Sequence, residues 1–465
     1  MSQHAHESGS EPLPEPAFDD YRAPSPELVA DCVHCGFCLP SCPTYVLWGE
    51  EMDSPRGRIY LMDEGLQGEP MTPAMVQHFD ACLGCMACVT ACPSGVQYDG
   101  LIESTRAQVE RRFDRTWRDR ALREAIFALF PYPRRLRLMR GPLRLYQASF
   151  LPRLLRRNDR LQRISPTIAA MESLAPPISR AEPIARHTPA QGERRGTVGV
   201  LLGCVQREFF PGVNGPTVRV LSAEGFDVVA PTAQGCCGAL SVHNGRELDA
   251  QRFARDLIDQ FDGTGVDHVV VNSAGCGSSM KEYARLLADD PAYADRAKAF
   301  AERVRDVSEI LAEAGTVAER HPLPVTVAYH DACHLAHAQG VRAQPRRLLN
   351  EIPGLELREI PEGDLCCGSA GIYNLLNPEP ARELGDRKAA NVLSTHARLL
   401  VTANPGCLMQ VAASMERAGG AIALAHTVEV LDASIRGLRV ERLGFTSSAP
   451  ARTIADQDSS VPTPR

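Results

Sequence analysis

Apolar positions fall at helical spacing through the first third of the chain and in short continuous runs later, so two kinds of structure are predicted. Ser25 is placed to cap a short helix over SPELVADCVHCG, LMDEGLQG reads as helical, and a further helix starts from Thr72. From Tyr98 to about Phe130 the apolar residues Leu101, Val109, Phe113 and Leu122 predict one helix, ended by Pro131 and Pro133. Residues 134–163 carry ten arginines against one acid, Asp159, interleaved with Leu136, Leu138, Leu145, Phe150 and Leu154. Such a segment suits packing on its own domain, docking a partner subunit, or lying on an anionic membrane surface. Residues 166–196 are rich in proline and small residues and read as a linker.

Beyond residue 197 the pattern repeats. Thr197–Cys204 (TVGVLLGC) and Val325–Cys333 (VTVAYHDAC) are buried-strand patterns that end at a cysteine. Each is followed by a helix, a strand and an adjacent pair before glycine: Cys236-Cys237-Gly238 and Cys366-Cys367-Gly368. A further helix then leads to a strand ending at Cys276 or Cys407. The intervals agree: 31 and 32 residues from the first cysteine to the pair, and 38 and 39 from the pair to the last. Strand and helix in alternation predict two α/β lobes with parallel sheets, with the cysteines at the carboxyl ends of strands. Four convergent thiolates per lobe suggest a metal-sulfur site in each, or one between them; the alternative is buried cysteine used as a small apolar residue.

The other eight of the 16 cysteines form two copies of C-x2-C-x2-C-x3-C-P: Cys32, Cys35, Cys38, Cys42 and Cys82, Cys85, Cys88, Cys92. This is the run of a two-cluster ferredoxin, in which the fourth cysteine serves the other cluster. The expected sets for two [4Fe-4S] clusters are therefore Cys32, Cys35, Cys38 with Cys92, and Cys82, Cys85, Cys88 with Cys42. Zinc knuckles or disulfides fit this spacing poorly. Between the runs, Arg56 and Arg58 either compensate buried negative charge and raise the reduction potential, or merely cap and salt-bridge a helix start. His330, Asp331 and His334 flank Cys333 and are candidates for a non-cysteine ligand or a proton donor, His334 foremost; otherwise they cap a strand-to-loop turn.

A chain of 465 residues with 44% hydrophobic residues has room for about three domains. The expected class is α+β overall, with a helical two-cluster module followed by two repeated α/β lobes. The expected boundaries are a disordered lead (1–24), the ferredoxin-like domain (25–130), the basic segment (131–165), the linker (166–196), the two lobes (197–320 and 321–440) and a disordered tail (441–465). The N-terminus MSQHAHESGS has no signal-peptide pattern and no window is apolar enough to span a bilayer, so a cytoplasmic location is expected. Net charge is −7, and only Lys281, Lys298 and Lys388 are lysines, so nearly all positive charge is arginine. No base-reading module accompanies that charge, which argues against nucleic acid. Nor does a G-x-G-x-x-G follow a strand, so no nucleotide fingerprint is present.

In order, CVHCGFCLPSCPTY, PRGRIYL, CLGCMACVTACPSGV, LLGCVQ, GCCGA, SAGCG, LCCGSAG and TANPGC resemble the iron-sulfur subunit of bacterial glycolate oxidase. The likeness covers most of residues 25 to 440. It implies a three-subunit, membrane-associated enzyme in which FAD-bearing partner subunits oxidise glycolate to glyoxylate, while this chain passes the electrons to a quinone-type acceptor and is inactive alone. Peripheral contact with the cytoplasmic face of the inner membrane follows from the same resemblance. Lactate or another 2-hydroxy acid as fuel, and lobes that act catalytically as in heterodisulfide reductase, are the alternatives. The heterodisulfide reductase version closes each lobe with C-x2-C, whereas Ser279 and Gln410 stand at those places here. A five-cysteine cluster is therefore not expected in either lobe, which leaves a four-cysteine site in one lobe or in both.

Overall fold

The computed structural model describes residues 15–156, 160–178, 182–420 and 422–444. Residues 1–14 and 445–465, expected to be disordered, lie outside them. The N-terminal module is helical because its short segments are punctuated by start signals. Helices Pro26–Ala30, Pro55–Leu66 and Pro73–Ala81 each begin with proline, whose missing N–H is no loss at a helix start. Ser25, Ser54 and Thr72 accept backbone N–H groups as their caps. Their apolar faces close on helix Tyr98–Arg112 around Met62, Phe79, Leu101 and Ile102.

Three expectations need correction. The lead is not disordered throughout: Ala17 is fully buried, Phe18 packs against Gly65, and Asp19 and Tyr21 accept from Gln108 and Arg111. Arg22 reaches further, to Glu247 and to Asp289 at 2.8 Å. Polar side chains far away in sequence hold this segment, which composition alone does not reveal. Second, the single helix over residues 98–130 is two, Tyr98–Arg112 and Trp117–Leu129. Thr116 caps the second, and Arg115 in the break bonds Asp80 at 2.7 and 3.1 Å. Third, the linker begins as helix Pro166–Ser173, continuing the helices Pro133–Ala148, Leu151–Arg156 and Arg160–Ile164 of the basic amphipathic segment. A short strand, β1 (His187–Thr188), then enters the first sheet.

The first sheet contains β2 (Gly196–Val200), β3 (Phe226–Val229), β4 (His268–Val271) and β5 (Val304–Asp306), in the order β1-β3-β2-β4-β5. The second contains β6 (Val325–Tyr329), β7 (Leu355–Glu359), β8 (Leu399–Thr402) and β9 (Ala423–His426), in the order β7-β6-β8-β9. All pairings are parallel except β1 with β3. Without β1 the two orders are the same, which is the repeat seen in three dimensions. The lobes share one core, in which Val198 and Val220 join Val327, Leu400 and Leu431. Arg219 on helix Pro211–Ala223 holds Asp432 of helix Thr427–Ile435 with two bonds, of 2.9 and 2.7 Å.

Asp306 ends β5 and caps helix Val307–Ala314, accepting the Ser308 N–H at 2.7 Å while Glu309 accepts the Asp306 N–H at 3.0 Å. Burial pushes its carboxyl up to about 7. An unfolded aspartate titrates near ~3.9, so from there to about pH 7 the folded state binds the extra proton and stability falls as pH rises. Asp306→Asn is expected to gain on the parent by ~1–3 kcal/mol between pH 5 and 8. The gap between the two melting temperatures, followed across that range, reads this; a constant gap would mean the carboxyl titrates normally.

Candidate metal centres

The thiols of the helical module gather in crossed sets. Cys32, Cys35, Cys38 and Cys92 line one small cavity with Arg56, near the surface, and Val33 and Phe37 beside them are 69% and 67% exposed. Cys42, Cys82, Cys85 and Cys88 are all buried, and burial together with the charge of neighbouring thiolates pushes the Cys85 and Cys88 thiols well up. The fold thus brings the last cysteine of each run to the first three of the other.

Arg58 is fully buried beside the second set. Its Nη1 donates to Asp53 O at 2.6 Å and faces Cys42 Sγ at 3.9 Å; its Nη2 bonds Thr44 Oγ1 and Asp53 Oδ1 at 3.1 and 3.2 Å. Burial alone would raise the Cys82 thiol, yet the charges of Arg58 and Arg106, the Gly84 N–H at 3.3 Å and the Tyr98 hydroxyl at 3.7 Å hold it below its ordinary value. Arg56 plays a shallower part: it pairs with Glu51 and donates to His34 O at 2.9 Å across Gly36, where a Cβ would lie 2.8 Å from its guanidinium. Tyr98 and Arg106 carried no signal in the sequence, because they approach the thiols only once the helix Tyr98–Arg112 is docked.

The lobe cysteines sit where parallel strands end. Cys204 and Cys333 follow β2 and β6, the adjacent pairs lie in the loops after β3 and β7, and Cys276 and Cys407 open the helices after β4 and β8. In the first lobe Cys204 and Cys236 are 3.6 Å apart, with Cys237 and Cys276 continuing the chain of thiol contacts. In the second lobe all four are buried, and Cys367 is held well below the ordinary thiol range by hydrogen bonds from Cys366 and Cys407, while those two thiols are pushed up.

The two lobes differ at matched positions. His330 and Leu201 both follow their strands directly, and their N–H groups bond the equivalent carbonyls Val401 O and Val270 O. The His330 ring is wholly buried and faces the Cys367 thiol, which it helps to hold down, and one of its nitrogens lies within 4.8 Å of Cys367 and Cys407 Sγ. Lys388, 1% exposed, donates to Glu362 O and Gly363 O beside the same thiols. Its counterpart is Leu257, since Gly368 packs on Ala381 as Gly238 packs on Ala250. Four convergent thiols, a buried imidazole against two of them and a buried cation fit a bound metal in the second lobe; a leucine at both auxiliary positions does not favour one in the first.

The preference for His334 gives way to His330. His334 is not grouped with the second-lobe thiols but lies against the ring of His243, 4.9 Å between centroids, in a small cavity that Cys82 also lines, and burial lowers it to about 3, leaving it uncharged. Asp331 is engaged with Arg346 at 2.6 and 2.9 Å and so is a structural ion pair. The second thiol set of the module abuts the second lobe: Leu83 and Cys85 pack with Cys333 and Cys366 in one buried cluster.

Two four-thiol sets in a helical module, set against a duplicated cysteine-rich α/β unit, define an iron-sulfur electron-transfer protein. Residues 28–96 match the 4Fe-4S dicluster domain, 198–281 and 327–412 the cysteine-rich domain, and 118–175 the linker region of the glycolate oxidase iron-sulfur subunit. The chain is 37% identical to the probable glycolate oxidase iron-sulfur subunit of Bacillus subtilis, over 86% of its own length and 93% of that protein's. It is 35% identical to the glycolate oxidase iron-sulfur subunit of Escherichia coli, over 88% and 94%. The lactate utilization protein A of Halalkalibacterium halodurans is 31% identical over 50% of this chain and 96% of its own. A crystal structure of a hypothetical protein from Helicobacter pylori shares the fold, with a TM-score of 0.50 at 8% identity over 81% of this chain and 66% of that one. The chain belongs to the glycolate oxidase iron-sulfur subunit family. It is an electron-transfer subunit of an oxidoreductase complex.

Proposed function

We propose that the chain takes electrons from a flavin on a partner subunit that oxidises glycolate to glyoxylate, and delivers them to a quinone-type acceptor at the cytoplasmic face of the inner membrane. The observation that carries this reading is a continuous line of thiols: a surface set beside exposed Val33 and Phe37, a buried set next to it, and Cys85 against Cys333 of the second lobe. Bound iron-sulfur clusters supply one-electron uptake and release. The chain's own residues do the rest. Cys32, Cys35, Cys38 and Cys92 hold the cluster nearest the partner, and Cys42, Cys82, Cys85 and Cys88 the buried one, with Arg58 and Arg106 offsetting its charge. Cys333, Cys366, Cys367 and Cys407, with His330, are the further site; the first lobe serves as scaffold.

The fuel is chosen on the partner subunits. Glycolate is favoured because its relatives match this chain almost end to end, whereas the lactate-utilization relatives cover about half of it. Expressed with its flavin partners, the chain should give a complex that reduces a water-soluble dye with glycolate. Expressed alone it should bind iron and leave glycolate untouched. Glycolate oxidation by the isolated chain, or a complex that turns over lactate and ignores glycolate, contradicts the reading.

Membrane contact draws on the basic segment. Arg137 and Arg140 are committed to the buried Glu208, which seats helix Pro133–Ala148 on the first lobe together with Leu136. The opposite stripe, Arg134, Leu138 and Leu145, is exposed. Among the described residues no helix is long and apolar enough to cross a membrane; the attachment we propose is peripheral, through the exposed stripe. Binding of the complex to anionic liposomes is expected to weaken with salt and to fall by ~10- to 30-fold in the double variant Arg134→Gln/Arg144→Gln, in keeping with ~1 kcal/mol per surface arginine. Binding that ignores both changes leaves the stripe as a subunit contact.

A further inference from the structure

The helices after the ferredoxin module roof a cavity on the second lobe. It measures about 440 Å³ and lies between helix Pro166–Ser173 and the helices Pro378–Ser394 and Pro405–Arg417. Leu161, Ala170, Leu174 and Ala413 supply apolar wall, the amides of Asn374 and Gln410 form a polar floor, and Glu172, Glu379, Arg382, Glu416 and Arg417 make much of the rest of the lining charged. Asn374 donates to Gln410 Oε1 at 3.1 Å, and Gln410 donates to Ala381 O at 2.7 Å. This floor is the back of the second-lobe thiol set. Gln410 stands one helical turn after Cys407, and its amide and the Cys367 carbonyl both press on Gly385, where a Cβ would lie 2.8 and 3.6 Å from them. The outer side of the same roof is apolar: Phe150, Leu154, Ile164 and Ile168 are 46% to 78% exposed.

We propose that this cavity holds the acceptor, a lipid-soluble carrier of the quinone class. The proposal rests on the electron-transfer reading above. A volume of this size suits a quinone ring with the start of its tail, since small-molecule sites run from ~300 to ~1,000 Å³. The walls take the ring faces and tail, and the floor amides meet a carbonyl oxygen. The exposed apolar roof is where such a carrier would leave the lipid. Reduction takes two electrons, given one at a time by the reduced complex, and two protons from water at the cavity mouth, converting each C=O to C–OH. The cavity ringed by His243, His334 and Tyr373 at the module junction is about 50 Å³, room for water and no more.

The test is photolabelling of the purified complex with a short-tailed azidoquinone, followed by peptide mass spectrometry. Label should fall within residues 160–174 or 374–417 and be displaced by excess unreactive quinone. Ala413→Trp and Ala170→Trp fill the cavity from facing walls, and each should lower labelling at least tenfold; iron content equal to the parent's shows that a variant is folded. Label elsewhere in the chain or on a partner, or labelling undiminished in both variants, overturns the site. Glycolate-dependent dye reduction by the parent complex is scored separately: its absence sinks the electron-transfer reading, whereas dye reduction with label elsewhere sinks only the site.

Discussion

Cys42→Ala is expected to remove the cluster held with Cys82, Cys85 and Cys88 while sparing the one at Cys32, Cys35, Cys38 and Cys92, although Cys42 belongs to the same run as the spared thiols. The crossed gathering of the two sets predicts this, and Cys92→Ala should give the reciprocal loss. Because the buried set lies between the surface set and the second lobe, substrate-driven reduction of any acceptor beyond it should drop by ~100-fold or more, above the ~10- to 100-fold typical of altering a ligand's outer partner. Iron and sulfide per chain, with the spectrum of the cluster that remains, decide it. Retention of the buried cluster and loss of the surface one would show that each run serves its own cluster.

Replacing Arg58 by glutamine should have the next largest effect. The guanidinium is 1% exposed and compensates the Asp53 carboxylate together with the thiols of Cys42 and Cys82. Removing one partner of a buried charge set costs about 3–5 kcal/mol, because the remaining charges stay buried. The same loss leaves a reduced, more negative cluster without its cation, so the midpoint potential of the buried centre should fall by ~60 mV or more, a factor of about ten for one electron. Arg58→Lys keeps the charge but cannot reproduce the planar fork to Asp53 and Thr44, so partial recovery is expected. Anaerobic melting and a redox titration measure the two effects. A lower melting temperature with an unchanged potential would make Arg58 a structural residue only.

Cysteine spacing was the most legible feature because a cluster demands several ligands from one tight loop, and that demand is local. The lobe repeat was legible for a similar reason: buried parallel strands leave short apolar runs, and the runs end at matched cysteines. What stayed hidden depends on contacts remote in sequence. Nothing near Lys388 marks it as buried beside thiols, and its meaning appears only when Leu257 is seen in the same place in the other lobe. His330 and His334 look equivalent as neighbours of Cys333, yet the short π-helical turn at His334–Ala338 carries His334 toward His243. β5 and β9 were missed because they are short and no cysteine follows to mark their ends, whereas β3, β4 and β8, four residues each, run toward one. The segment before Pro26 read as disordered, since its partners, Gln108, Arg111 and Glu247, lie more than 80 residues away.

The central claim is that electrons from substrate enter this chain's thiol-bound iron and reach the second lobe. Freeze-quench electron paramagnetic resonance of the anaerobic complex mixed with glycolate, with iron and sulfide counted per chain on the same sample, tests it most directly. The account predicts iron beyond two cubanes, ~8 atoms, and reduced iron-sulfur signals that appear with glycolate only when the flavin partners are present. Glycolate turnover with the iron-sulfur signals unchanged, and iron limited to two cubanes, would contradict it.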